Sequence, residues 1–574
     1  MKRLLKYLKE YTKESILGPL FKMFEATLEL IVPLVIAAIV DRGITVGDYG
    51  YVVKMCLLLL LLGAIGLAFS ATAQYYSAKA AVGFVAKLRY ALFAKMQTLS
   101  YSDIDELGTS TMITRMTADA SKVQNGLNLA LRLLLRSPFV VFGAMIMAFT
   151  VDFKSALTFV AVIPLLSIVV FGIMLITMPL YKKAQSGTDS ILKRTRENLA
   201  GIRVIRAFRY EDEEIDSFER ENTALTAVQR RVGRISALMN PLTYILINLA
   251  ILWLVYTGAI EVSHGNLTQG EVLALYNYMS QILVELIKLA NLIISITRAL
   301  ASASRIADAL DIPSTEPSGT VTCGKDGCPK VEFIGASLTY RAGSAPAIED
   351  ISFSVNKGET VGIIGGTGSG KTSLINMIPG FYKPSAGKVL IDGVPSSEYM
   401  PESLRTKIGI VPQNAMLFSG TIRENMAWGK ADASDNEINE ALRVAQALSV
   451  VDDKGGLDAK IEQGGRNLSG GQRQRLTIAR ALTANPEILI LDDSSSALDY
   501  ATDASLRQAI RELPGDMTVF IVSQRASSIM HADKIIVLDD GHAVGIGTHD
   551  ELLNRCPVYR EIYDTQFTEE VRHG

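Results

Sequence analysis

Residues 360–378 read Thr-Val-Gly-Ile-Ile-Gly-Gly-Thr-Gly-Ser-Gly-Lys-Thr-Ser-Leu-Ile-Asn-Met-Ile. An apolar run ends in Gly365. Gly366, Gly368 and Gly370 then bracket Thr367 and Ser369, and Lys371, Thr372 and Ser373 open an amphipathic stretch. The spacing predicts a strand, a tight loop and a helix. Glycines let a loop fold back so that successive backbone N–H groups point inward, and the helix N-terminus behind them adds positive potential. Such a loop cradles the phosphates of ATP, with Lys371 reaching the outer phosphates and Thr372 ligating Mg²⁺.

Two downstream stretches extend this reading. Residues 488–492, Ile-Leu-Ile-Leu-Asp, predict a buried strand ending in a carboxylate, so Asp492 is the second expected Mg²⁺ anchor. Residues 467–472, Asn-Leu-Ser-Gly-Gly-Gln, precede an amphipathic helix over 473–483. A serine hydroxyl and two glycines at a helix start can cap that helix or form a second anion cradle. One ATP cannot lie on two distant cradles of one domain, whereas two chains arranged head to tail can bury it between them.

With these motifs the whole chain resembles the ATP-binding cassette (ABC) superfamily. The resemblance implies roles residue by residue. Tyr340, in Ser-Leu-Thr-Tyr, matches the aromatic that stacks on adenine. Gln413, in Val-Pro-Gln, matches the glutamine that touches Mg²⁺ and water. Leu468, Ser469, Gly470, Gly471 and Gln472 match the signature motif that contacts ATP bound to the opposite subunit. Asp499, in Ser-Ala-Leu-Asp, matches the loop that crosses the dimer interface.

The chain departs from that family at two points. The family expects Glu after the Mg²⁺ aspartate, and Asp493 stands there; it expects His in the switch loop, and Gln524 stands there. Aspartate is one methylene shorter, and a general base acts only within hydrogen-bond reach. Glutamine donates hydrogen bonds without carrying charge. Gln463 also replaces a frequent Glu ahead of the signature motif. Asp493 and Gln524 fall in one ATP site, whereas the signature motif serves the other. This asymmetry resembles the degenerate-site subunit of bacterial heterodimeric exporters of the multidrug type. A homodimer in which Asp493 works slowly at both sites, and an ATP-gated channel or regulator, are the alternatives.

Upstream the texture changes. Hydrophobic residues make up 49% of the 574. Stretches near 16–40, 53–78, 127–149, 156–180, 238–260 and 272–294 reach the ~20 apolar residues that cross a bilayer core. The expected fold is therefore a six-helix all-α transmembrane domain, resembling the type I exporter, followed by an α/β phosphate-loop nucleotide-binding domain. The expected boundaries are 1–309, a Pro/Gly/Ser/Thr-rich linker at 310–330, and 331–574. The tail before the first span and the connections after the second and fourth are rich in Lys and Arg, while residues 261–271 contain none. Positive segments stay inside, which puts both termini and the nucleotide domain in the cytoplasm of an inner or plasma membrane protein. The second and fourth spans should continue as helices beyond the membrane. Residues 101–124 and 202–222 resemble exporter loops ending in short coupling helices.

The formal net charge of −2 gives no basic field for nucleic acid. Cys56, Cys323, Cys328 and Cys556 form no disulfide framework, and Cys323 with Cys328 reads as a thiol pair in a mobile linker. The basic N-terminus lacks a cleavage pattern and is expected to be retained. No peptidase domain is expected ahead of the first span, and so no dedicated leader-peptide processor is expected. Candidate cargo contacts are Glu25, Glu29, Asn277, Gln281, Glu285 and Lys288. Intramembrane charges face a cavity or pair with each other, as Glu285 and Lys288 can at i,i+3. Arg132 and Arg136, where the third span starts, are expected to snorkel to the inner interface.

Overall fold

The computed structural model describes residues 2–313, 319–341 and 343–573; residues 314–318 of the expected linker lie outside them. The chain forms two compact units. One comprises Met1–Gln97 and Thr109–Ile312, the other Thr98–Gly108 and Pro313–Gly574.

The first unit is all helical. Helices α1 (Thr12–Ala38) and α2 (Tyr49–Gln97) are followed in the chain by the short α3 (Tyr101–Leu107), which belongs to the second unit. Then come α4 (Thr109–Thr114), α5 (Ala120–Leu133), α6 (Arg136–Val151), α7 (Phe153–Ala207), α8 (Glu211–Ala237), α9 (Met239–Ser263) and α10 (Gln269–Asp311). Among the described residues six continuous helical stretches are long and apolar enough to cross a membrane. Helices α2 and α7, of 49 and 55 residues, run well past bilayer thickness, as the patterning of their C-terminal halves predicts. Leu57, Leu60, Leu61 and Leu67 of α2 are exposed, a surface suited to lipid. The second loop holds no separate short helix among the described residues. Helices α7 and α8 instead meet at a sharp turn, where Arg209 takes φ +54° and Phe208 is exposed.

Helix α10 organises this unit. Tyr278, Met279, Ile282 and Leu286 pack with Leu30, Val140, Ala144, Phe159 and Leu254 from four other helices. Its N-terminus carries a capping box between Thr268 and Glu271, and Asp41 accepts the Gly270 amide at 2.8 Å. A carboxylate at a helix N-terminus offsets orphan donors and the dipole together. Gly270 is required there: a Cβ would sit 2.3 Å from the Ala37 carbonyl oxygen.

The second unit is α/β. It runs β1 (Val331–Leu338), β2 (Ile348–Val355), β3 (Thr360–Gly365), α11 (Lys371–Asn376), β4 (Ala386–Ile391), β5 (Val394–Pro395), α12 (Pro401–Arg405) and β6 (Ile408–Val411). It continues through β7 (Gly420–Thr421), α13 (Ile422–Ala427), α14 (Asp435–Val444), α15 (Leu448–Lys454), β8 (Lys460–Ile461), α16 (Gly470–Thr483) and β9 (Ile488–Asp492). It closes with α17 (Tyr500–Arg511), β10 (Thr518–Val522), α18 (Ala526–Ile529), β11 (Lys534–Asp539), β12 (His542–Gly547), α19 (His549–Arg555) and α20 (Pro557–His573). Strands β2-β1-β4-β5 form one antiparallel sheet; β12-β11-β3-β10-β9-β6 form a second, parallel except for β12. Every residue of β9 and β10 is buried, as expected of strands covered on both faces. Residues 319–330 are tied down where a mobile linker was expected: Val321 bridges Tyr399, and the Lys325 amide donates to the Asp392 carbonyl at 2.8 Å.

Candidate functional site

Strands β3, β10 and β9 are neighbours, and Val522 pairs with both Ile363 and Asp492. Their carboxyl ends therefore deliver the glycine loop, Ser523–Gln524 and Asp492–Asp493 to one edge of the sheet, where α/β folds bind ligands. The loop needs its glycines. Gly368 and Gly370 have φ of +85° and +95°, and a Cβ on Gly365 would lie 2.1 Å from the Leu538 carbonyl oxygen. Gly366 has open space around its would-be Cβ, so a ligand can approach its backbone.

Thr372 donates to both carboxylate oxygens of Asp492, at 3.3 and 3.1 Å. Burial raises the Asp492 pKa, against the Thr372 hydrogen bond. Burial likewise lowers that of Lys371, whose ammonium donates to the Gly365 and Gly366 carbonyls at 2.8 and 2.6 Å. Both groups are thus held in unfavourable charge states by desolvation, and a polyphosphate with a divalent cation would relieve both. Buried Ser369 has a hydroxyl with no partner among the described residues. An orphan hydroxyl, a hydroxyl–carboxylate pair and an open glycine backbone fit MgATP.

Gln413, just past β6, donates to Asp493 at 3.4 Å. Asp493 takes φ +46°, which aspartate tolerates better than longer side chains do. Asp493 and Gln524 line one cleft of about 590 Å³ with Ser523, Arg525 and Gln566. Gln566 of α20 accepts from the Ala526 amide at 2.8 Å and donates to the Gln524 carbonyl at 2.7 Å, clamping the switch loop from both sides. No sequence signal singled out Gln566, because its partners are backbone groups 42 and 40 residues away.

The remaining motif residues take these positions. Tyr340 is exposed, and its hydroxyl shares a 2.8 Å hydrogen bond with Ser373. Ser469 caps α16, with its amide donating to Gln472 Oε1 at 2.9 Å and its hydroxyl accepting the Gln472 amide at 3.3 Å. That helix begins at Gly470, three residues before the stretch predicted at 473–483. Leu468 is buried, whereas Gly470 has nothing near its would-be Cβ, so this helix start is open. Asp499 caps α17, and hydrogen bonds from Thr502 hold its pKa below the usual value.

In the membrane unit the charged candidates are mutually engaged. Arg136 donates to Glu285 at 2.8 Å and to Glu29 at 2.5 Å. Ser137 and Lys288 each donate to Glu285 at 2.9 Å, and Lys22 donates to Glu25 at 2.5 Å. Arg136 therefore does not snorkel: it is buried, because α1 and α10 supply carboxylates at its side. Asn277 is half-buried, and Gln281 Oε1 is buried with no partner among the described residues.

The fold and the glycine loop define a class: a phosphate-loop domain joined to six membrane-length helices. The ABC transporter transmembrane region matches residues 15–286, and the ABC transporter family matches residues 348–496. An uncharacterized ABC transporter ATP-binding protein of Bacillus subtilis, YfiB, is 35% identical over 99% of this chain and 99% of its own length. The ATP-dependent lipid A-core flippase of Desulfotalea psychrophila is 32% identical over 83% of this chain and 84% of its own. The probable multidrug resistance protein YheI of B. subtilis is 35% identical over 83% and 82%. A bacterial Atm1-family ABC exporter with ATP bound shares the fold, with TM-score 0.80 at 23% identity over 97% of this chain and 99% of that one.

The chain belongs to the ABC transporter family. It is a multi-pass membrane protein with a type I exporter membrane domain and an ABC nucleotide-binding domain, and its family couples ATP hydrolysis to export.

Proposed function

We propose that this chain is one half of an exporter that moves amphipathic small molecules, lipids or peptides out of the cytoplasm by alternating access. It holds MgATP at its own phosphate loop and lends residues 468–472 to an ATP site completed by a second, non-identical half-transporter. Both termini and the nucleotide unit lie in the cytoplasm. Thr372, Asp492 and Gln413 would hold Mg²⁺, which would neutralise phosphate charge there. Lys371 reaches the outer phosphates, and Tyr340 stacks on adenine.

The observation that carries the asymmetric reading is the state of Asp493. Its shorter carboxylate is engaged by Gln413 at 3.4 Å, and the neighbouring switch residue Gln524 supplies no positive charge. Phosphoryl transfer needs an oriented water and charge neutralisation, and this pair offers less of both than Glu with His. Two identical chains hydrolysing slowly at both sites is the second reading, favoured by the carboxylate that Asp493 retains.

The membrane charges support the cargo class. Lys22, Arg136 and Lys288 offset Glu25, Glu29 and Glu285 one for one, leaving the amides Asn277 and Gln281 to meet cargo. Uncharged amides beside balanced charges suit amphipathic molecules over strongly charged ones. The flippase and multidrug names of two relatives agree with this class.

Substitution in the reconstituted complex tests the reading. Ser469→Ala should lower its ATPase at least tenfold, in line with losing a charge-stabilising donor. Asp493→Ala should lower it less than threefold. Equal losses would overturn the asymmetric assignment.

A further inference from the structure

A chain of side chains links the phosphate-loop helix to α3. Tyr340 shares its hydroxyl hydrogen bond with Ser373, two residues beyond Lys371, at 2.8 Å. The Tyr340 ring meets Tyr382 edge to face, with centroids 5.0 Å apart and planes at 89°. The Tyr382 hydroxyl donates to Asp105 on α3 at 2.5 Å. Tyr101, at the start of α3, stacks on Phe381 at 4.2 Å, and Arg405 lies 5.5 Å from the Phe381 centroid. These groups surround a cavity of about 770 Å³ that also touches Thr372 and Asn376.

Packing alone does not explain the hydroxyl–carboxylate contact. Tyr382 is half-buried and Asp105 is exposed, so solvent could satisfy both groups. Burial, with the neighbouring Asp105 carboxylate adding to it, pushes the Tyr382 hydroxyl up, so it stays a donor at neutral pH. Tyr340 is held at its hydroxyl by Ser373 and at its ring by Tyr382. A base stacked on its exposed ring favours one orientation. Any turn of Tyr340 displaces the Tyr382 edge and hence the hydrogen bond to α3. In the chain, α3 lies between α2 and α4 of the membrane unit.

We propose that Tyr382 is a positioning residue that reports occupancy of the adenine platform Tyr340 to α3 through its hydrogen bond to Asp105. The proposal rests on the reading of Tyr340 as that platform. It identifies the base, in addition to the phosphates, as a signal that the membrane-linked helix receives.

The test uses the full-length chain in lipid nanodiscs. It measures MgATP affinity together with hydrogen exchange of residues 98–108, with and without saturating MgATP. In the unsubstituted protein MgATP should change exchange of this segment at least threefold. Asp105→Ala should bind MgATP within twofold of the original affinity and lose that response. Tyr382→Phe, which keeps the ring, should lose it too, and Asp105→Asn, which keeps an acceptor, should recover it. A full response in Asp105→Ala or Tyr382→Phe, or none in the unsubstituted protein, would overturn the relay. Tyr340→Ala separates the two layers: it should weaken MgATP binding at least fivefold. Unchanged affinity in that variant would remove the platform reading itself, and the relay with it.

Discussion

At the scale of single residues, the phosphate loop stores unfavourable electrostatics. Asp492 is buried, and its pKa is raised from 3.8 in the folded chain without ligand. The folded state therefore holds a proton more tightly than the unfolded one. Stability is lost as pH rises from about 3.8 through the raised value. Asp492→Asn removes that ionisation while keeping the shape. It should raise the nucleotide-free melting temperature at pH 7 by about 2–4 °C, the change expected for ~1 kcal/mol in a domain of this size. The same variant should lose the Mg²⁺ dependence of ATP binding. A calorimetric scan with and without MgATP checks both, and a lower melting temperature would refute the penalty. Asp493 sits beside this group at φ +46°, a backbone setting no motif reveals. Its identity is legible in the sequence; its contact with Gln413 is not, because 80 residues separate the partners.

At the scale of elements, apolar length and glycine spacing made most of the architecture readable. The spans are visible because each must satisfy its backbone internally and present apolar side chains to lipid. The nucleotide domain is visible because β3, the loop and α11 follow directly in sequence. What was not legible is tertiary pairing. Arg136 lies 107 and 149 residues from Glu29 and Glu285, so local reasoning placed it at the interface instead of inside the bundle. The clamp of α20 on the switch loop was invisible for the same reason. It yields a prediction: Gln566→Ala removes two hydrogen bonds worth about 0.5–1.5 kcal/mol each. Hydrogen exchange of residues 523–527 should accelerate roughly tenfold while distant strands such as β9 keep their protection. Unchanged exchange at 523–527 would show that the loop holds its shape without α20.

At the scale of the whole molecule, the proposed function requires the chain's two ATP-facing surfaces to differ. On that reading the phosphate loop, with Thr372 bonded to Asp492, would bind MgATP, and the capped, open start of α16 would serve a partner. Asp493 is a shorter carboxylate than Glu, and position 524 carries no charge, although Arg525 lines the same cleft. The membrane unit is charge-balanced at Lys22, Arg136 and Lys288, which fits amphipathic cargo. Family and fold follow from motifs spread along the chain.

The most direct test is the ATPase turnover of the purified full-length chain alone in lipid nanodiscs, measured beside its MgATP affinity. The account predicts tight MgATP binding with turnover below about 0.1 s⁻¹, roughly a hundredfold under the ~10 s⁻¹ median of enzymes. Turnover near that median from the single chain would contradict it.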